Sequence, residues 1–330
     1  MKTSTRMRLR VVIPVFNDWE SLSILLRELD RISGSLGHEL IISVIDDGST
    51  QPDDLLRQVV RELRTIDQLE LVQLAVNVGH QRAIAVGLCR AADSEDCDAV
   101  LVMDSDGEDP PESIPLLMER ARGQREFCIV AQRRRRSESF AFKASYVIYR
   151  SVFRLVTGRK IRFGNFSLIS VGNVRRLTMI PDLWNNLAAA VLRSRLSLDQ
   201  VPIDRGKRYA GRSTMNFTSL IVHGFSAISV YADTIFVRLL VTTVVMMCLT
   251  VPAVVTVLFL RLFMPLHATP GWATTVIFGM TIILLQALFT MLTSILALLN
   301  NRVQRLMLPI VDYKPYVRDV EVLLSSRSIV

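Results

Sequence analysis

Two stretches, 239–260 and 273–299, run without a charged residue, and nothing else in the chain constrains its fold as strongly. As helices at ~1.5 Å per residue they reach roughly 33 and 40 Å, against a hydrocarbon core of about 30 Å. Core helices of soluble domains seldom run so far without a charge. Both stretches are therefore expected to cross a membrane, the second with some tilt. The segment between them, 261–272, is short and carries the lone charge of Arg261. Arg238 precedes the first run, and Arg302 and Arg305 follow the second. Basic residues stay on the cytoplasmic side. The large N-terminal part and the C-terminus are thus expected in the cytoplasm, with the short loop outside. The first residues lack the apolar core of a secretory signal, so that part is expected to stay where it is made.

The chain as a whole is apolar and basic. Half of all residues are apolar (50%) and the net charge is +8. Charged residues are common up to about Asp233 and then nearly vanish. A basic protein suits an anionic leaflet. Nucleic acid is the rival partner, but no recognition motif for it appears. Cys89, Cys97, Cys128 and Cys248 show no metal spacing and are expected to stay reduced. The histidines are scattered too, so zinc is not expected.

Strand and helix alternate through the first 130 or so residues. Apolar runs at 9–15, 40–45, 69–75 and 99–103 predict buried strands, with a fifth at 127–131. Helical spacing follows at 19–32, with Asn17 or Asp18 as N-cap, at about 52–64 and at 80–92. The pattern predicts an α/β fold with a doubly wound sheet. In such sheets ligands collect beyond the carboxyl ends of the strands. Asp47, Asn77, Asp104 and Asp106 all fall there. Further on, Phe142, Tyr146, Tyr149, Phe153 and Val156 recur at helical spacing beside Lys143, Arg150 and Arg154. Phe217, Leu220, Ile221, Phe225 and Ile228 form a second stripe. Both read as amphipathic helices suited to a membrane interface.

Asp104-Ser105-Asp106 places two carboxylates at a strand end. Hard divalent ions want oxygen ligands and keep several waters while bridging substrate phosphates. Followed by Glu108-Asp109-Pro110-Pro111-Glu112, the motif points to such a site.

Pro14-Val15-Phe16-Asn17, Asp46-Asp47-Gly48-Ser49, Asn77-Val78-Gly79-His80 and the segment 104–112 resemble family 2 glycosyltransferases of the GT-A fold. Arg133-x-x-Arg136-x-Glu138 and Arg208-Tyr209-Ala210-Gly211-Arg212-Ser213 extend the likeness to the dolichyl- and undecaprenyl-phosphate hexose synthases. That resemblance implies a GT-A, Rossmann-like nucleotide-sugar domain with two C-terminal membrane helices. It implies that Pro14, Val15, Phe16, Asn17, Asp47, Asn77, Asp104 and Ser105 line the nucleotide-sugar pocket. Asp104, Asp106 and Glu108 would serve Mg²⁺ or Mn²⁺, Glu108 standing where relatives usually carry Gln. Arg133 and Arg136 would hold phosphates.

One segment departs from the pattern at two positions. Where relatives carry Gly-Asp-Phe-Arg, this chain reads Gly164-Asn165-Phe166-Ser167. Asn cannot act as a base, but a lipid phosphate is already ionised at neutral pH, so positioning and charge neutralisation suffice. Asp106, Asn165, Arg133 and Arg136 are the expected catalytic set. The expected reaction is inverting hexose transfer from a nucleotide diphosphate sugar, UDP before GDP, to a polyprenyl phosphate at the inner membrane. A hydroxyl acceptor, or a membrane scaffold without turnover, is the alternative. A homo-oligomer is left open. The expected division is a catalytic domain over 1–212, an interfacial helix over 213–234, spans at 235–261 and 273–300, an external loop at 262–272 and a cytoplasmic tail at 301–330.

Overall fold

The computed structural model describes residues 6–94, 96–133, 158, 163–211, 226, 228–263, 271–303 and 306–326. The chain separates into two compact units, Met1–Ile148 with Lys160–Val230 and Leu306–Val330, and Tyr149–Arg159 with Tyr231–Arg305.

The first unit is organised by eight strands: β1 (Arg8–Val15), β2 (Glu39–Asp46), β3 (Gln68–Leu74), β4 (Ala99–Val102), β5 (Cys128–Arg133), β6 (Phe163–Ser170), β7 (Asp199–Ile203) and β8 (Val317–Ser325). They stand in the order β7-β5-β6-β4-β1-β2-β3-β8. β4, β1, β2 and β3 are parallel, as the alternation with helices predicts. β6 is antiparallel to both β4 and β5, and β8 is antiparallel to β3, so the sheet is mixed. The central strands are buried along nearly their whole length, because helices cover both faces.

On one face lies α1 (Trp19–Leu36), whose Leu22, Leu25, Leu26 and Leu29 form an apolar stripe against Val11, Ile13 and Ile42. On the other lies α3 (His80–Ser94), packed through Ala83, Val86 and Leu88 on Val12, Ile45 and Val100. A Cβ at Gly87 would strike the Val12 side chain, so glycine lets α3 sit this close to β1. Beneath α3 a buried ionic cluster crosses three strands. Arg10 of β1 and Arg90 of α3 both bond Glu70 of β3, and Ser43 of β2 joins them. Burial alone would raise the Glu70 carboxyl, but Arg90, Arg10 and Ser43 hold it below its ordinary value.

The helix expected at 52–64 is shorter: α2 covers Asp54–Val60. Asp30 is the reason. Its Oδ1 accepts the N–H groups of Arg64, Thr65 and Ile66, pulling the chain out of helical register. Beyond α4 (Ile114–Ala121), β6 leads into α5 (Val171–Thr178) and α6 (Leu187–Arg193). Part of the stretch expected as a cytoplasmic tail over 301–330 forms the strand β8. β8 lies against β3, with Leu323 and Leu324 packed on the core and Arg57 clasping Glu321 through two hydrogen bonds.

The second unit holds α7 (Ala232–Phe263) and α8 (Trp272–Val303), packed on each other. Both are long and apolar enough to cross a membrane. Many of their exposed positions are apolar, including Val241, Leu249, Phe278, Ile282 and Leu296. That is the surface a lipid-facing helix carries. The amphipathic stripe expected at 142–156 and most of the one at 213–234 lie outside the described residues.

Candidate active site

The loops that follow β1, β2 and β3 are locked together. Asn17 adopts the left-handed region (φ 51°), and its Oδ1 accepts the N–H groups of Thr50 (2.9 Å) and Gln51 (3.0 Å). Its own N–H donates to Ser49 Oγ at 2.9 Å. Gly48 (φ 72°) lies so near the Asn77 backbone that a Cβ would come within 2.8 Å of its nitrogen. Only glycine permits that closure. Asp47 is buried and braces the next loop, accepting Val78 N–H at 2.7 Å and Gly79 N–H at 3.0 Å. Burial pushes its carboxyl up, and those two donors pull against the shift. Asp47 therefore supports the loop that carries Asn77, and each of its oxygens already holds a backbone donor.

A second group gathers at the end of β4. Asp104 Oδ1 stands 3.1 Å from His80 Nε2 and 3.5 Å from Asn165 Nδ2. Asn165 Nδ2 is also 3.0 Å from His80 Nε2. That nitrogen serves one partner at a time: as an N–H it donates to Asp104, as a lone pair it accepts from Asn165. Burial would lower the His80 imidazole, but Asp104, with Asp47 and Asp106 behind it, raises it above its ordinary value.

The third group covers Asp106. Its Oδ1 accepts Glu108 N–H at 3.0 Å, and its Oδ2 accepts from Arg208 at 3.0 Å. Arg208 reaches Asp18 as well, at 2.6 Å, which explains why Asp18 sits before α1 without capping it. Arg205 bonds the Glu108 carboxylate. Backbone bonds from Tyr209 N–H to Asp106 O and from Gly206 N–H to Glu108 O fasten the segment 204–211 over the acidic loop. Burial raises the Asp106 carboxyl, and the charges of Asp104 and Glu108 raise it further against the Arg208 cation.

Among the described residues, no three His, Cys, Asp or Glu side chains form a metal cage. The donor set fits a different kind of site. Four carboxylates, Asp104, Asp106, Glu108 and Asp109, crowd one loop, and Arg205 and Arg208 offset part of their charge. A hard divalent ion needs only one or two such carboxylates when substrate phosphates and water complete its shell. Asp104 and Asp106 meet that description, whereas Glu108 is turned to Arg205.

The description Glycosyl transferase family 2 matches residues 10–177, half of the chain. The chain belongs to that family. It is 29% identical over 226 residues to an undecaprenyl-phosphate 4-deoxy-4-formamido-L-arabinose transferase of Klebsiella pneumoniae, covering 65% of this chain. The match spans 64% of that relative's length. Among solved structures, glucosyl-3-phosphoglycerate synthase from Mycobacterium tuberculosis, in complex with Mn²⁺, UDP and glucosyl-3-phosphoglycerate, aligns at TM-score 0.50. That pair shares 16% identity over 69% of this chain and 80% of the other. Mannosyl-3-phosphoglycerate synthase from Rubrobacter xylanophilus aligns at 0.52, with 14% identity over 69% and 73%. The GT-A fold expected from the sequence motifs is thereby shown.

Within this family 2 chain the expected site residues take unequal positions. Asp47, Asp104 and Asp106 all act on His80 electrostatically. Asn165 joins Asp104 from β6, and Asn17 and Asn77 lie on the interlocked loops. Pro14 and Val15 are buried inside β1, while Phe16 is exposed at its end. Ser105 is buried between the two aspartates. Arg133 closes β5 in register with Ile203. Its side chain, and all of Arg136, fall outside the described residues. Sequence reasoning missed His80 and Gln81 as site groups, read Asp18 only as a possible N-cap, and gave no role to Arg205 or Arg208. The motifs at 77–80 and 208–213 bordered them, but only tertiary contact shows what each side chain meets.

Proposed function

We propose that this chain transfers a hexose from a nucleotide diphosphate sugar, UDP-linked in preference to GDP-linked, to a polyprenyl phosphate with inversion at the anomeric carbon. One observation carries the reading: a family 2 chain joins an acidic strand-end site to two membrane-length helices. A water-soluble donor and a membrane-held acceptor require both. The Klebsiella relative, named for undecaprenyl phosphate, supports the acceptor class. The fold neighbour crystallised with Mn²⁺ and UDP supports the donor class.

Asp104 and Asp106 would hold Mg²⁺ or Mn²⁺, which neutralises the leaving nucleoside diphosphate when bound. An ionised acceptor oxygen forms the new bond to the anomeric carbon as the bond to the diphosphate breaks. The electron pair leaves on the diphosphate oxygen, and no proton has to move. Asn165 then needs only to donate a hydrogen bond. Arg133 and Arg136 are assigned to the acceptor phosphate, since a guanidinium presents a charged fork to its oxygens.

Membrane orientation belongs to the same proposal. β8 shares a sheet with strands that precede α7. A chain whose flanking segments share one sheet crosses a bilayer an even number of times between them, and two helices satisfy this. Arg238, Arg302 and Arg305 then put the sheet on the cytoplasmic side, where nucleotide sugars are. The test is a panel of nucleotide sugars offered to purified protein with undecaprenyl phosphate. A lipid-linked hexose is the expected product. Transfer to a lipid or glycan hydroxyl, with none to the phosphate, overturns the reading.

A further inference from the structure

Asn165 is held at the end of a chain of amides whose direction is fixed. Leu187 opens α6, and its N–H has no partner inside the helix, as for any first-turn donor. The capping side chain of Asn186 takes Ala189 N–H instead. Leu187 N–H donates to Gln81 Oε1 at 2.9 Å. A backbone N–H can only donate, so the oxygen of Gln81 must face Leu187 and its NH₂ must face away. That NH₂ donates to Asn165 Oδ1 at 3.0 Å. The oxygen of Asn165 is thereby engaged, and its own NH₂ faces Asp104 and His80. Turning the Asn165 amide over would set two NH₂ groups against each other and an amide oxygen against the Asp104 carboxylate. Gln81 is buried, so water does not relieve the mismatch.

We propose that Gln81 is a positioning residue that holds Asn165 as a hydrogen-bond donor toward the reacting groups, which selects an acceptor oxygen already ionised. A fixed N–H favours an oxygen that offers only lone pairs. It gives no help to a hydroxyl, which has a proton to lose. The inference rests on the polyprenyl phosphate reading and adds to it the residue that enforces the acceptor's charge state.

Gln81→Glu tests it. One oxygen of the introduced carboxylate still accepts from Leu187 N–H, but the other now accepts as well. Asn165 then turns its NH₂ to that carboxylate and its oxygen to the site. The apparent KM for undecaprenyl phosphate should rise about tenfold, the equivalent of one charge-assisted hydrogen bond. UDP affinity, read by calorimetry, should fall much less than the acceptor KM rises, since Asp104 is the one assigned donor-site residue that Asn165 bonds. The decisive arm is Gln81→Glu placed in an Asn165→Ala background, where it should add less than about twofold to the loss. An equal loss in both backgrounds means that Gln81 acts through α6 and not through Asn165, and overturns the proposal. So does a fall in UDP affinity that matches the rise in KM, or an acceptor KM that does not move. Wild-type protein that fails to use undecaprenyl phosphate at all defeats the functional reading first, and the acceptor selection with it.

Discussion

Arg208 Nη1 stands 3.0 Å from Asp106 Oδ2, so a cation of the chain itself occupies the carboxylate assigned to the metal ion. The same guanidinium bonds Asp18 across from it. Metal and Arg208 therefore compete for one oxygen. Arg208→Ala should tighten Mn²⁺ binding to nucleotide-free protein. A partly exposed pair is worth up to ~1 kcal/mol, which is about fivefold in affinity. Titration followed by the electron paramagnetic resonance of free Mn²⁺ checks this. Unchanged or weaker binding would mean that the ion sits elsewhere.

Asp106→Asn keeps the size of the side chain and removes its charge. Turnover should fall by about 100-fold or more, the scale seen when a single stabilising group is lost from a polar active site. Circular dichroism should show the fold retained. Excess EDTA should silence the wild type in the same assay. Activity surviving both treatments would end the metal assignment.

Glu70 predicts a pH dependence of stability. Arg90, Arg10 and Ser43 hold its carboxyl below the ordinary 4.5 despite burial. The depressed value means that the folded chain binds this proton more weakly than the unfolded chain does. The stabilisation is thus present above pH 4.5 and is lost as pH falls through the lower folded value. Glu70→Gln should cost about 3 kcal/mol near neutral pH, because it removes the buried carboxylate that Arg10 and Arg90 share and leaves Arg10 with Asp96 alone. Thermal melts of the two proteins should converge toward acid. A constant gap across the series would contradict the charge argument.

A reporter fused after Val330 should behave as cytoplasmic and one inserted near His267 as external. The prediction rests on Arg238, Arg302 and Arg305 and on the sheet that β8 shares with β3. The opposite pattern would separate the acidic site from its donor.

The parallel half of the sheet was legible because its strands are local apolar runs with turn residues at their ends. Asp104 and Asp106 announced themselves through spacing and through the proline-rich segment behind them. The edges of the sheet were harder. In β8, Asp319, Val320, Glu321 and Val322 alternate as a strand should, yet nothing nearby in sequence says that β3 is the partner. Helix α2 was read too long because the signal that ends it, Asp30, lies on another helix. The same holds for the site. Asn165 was recognised as a departure from the motif, but its orientation is set by Gln81, 84 residues away, which is itself held by Leu187, 106 residues from Gln81. Residue type is local information, whereas the direction of an amide is not.

The return of β8 also orders events in time. Gln73 and Arg318, which bond across the β3–β8 junction, are 245 residues apart, and both long apolar helices are synthesised between them. Until β8 emerges from the ribosome, the outer edge of β3 has no strand to pair with, and a bare edge invites pairing with other chains. Closure of the sheet then certifies that the helices have been made. A polypeptide interrupted within them would keep that edge open, and an unpaired strand edge is an aggregation-prone surface.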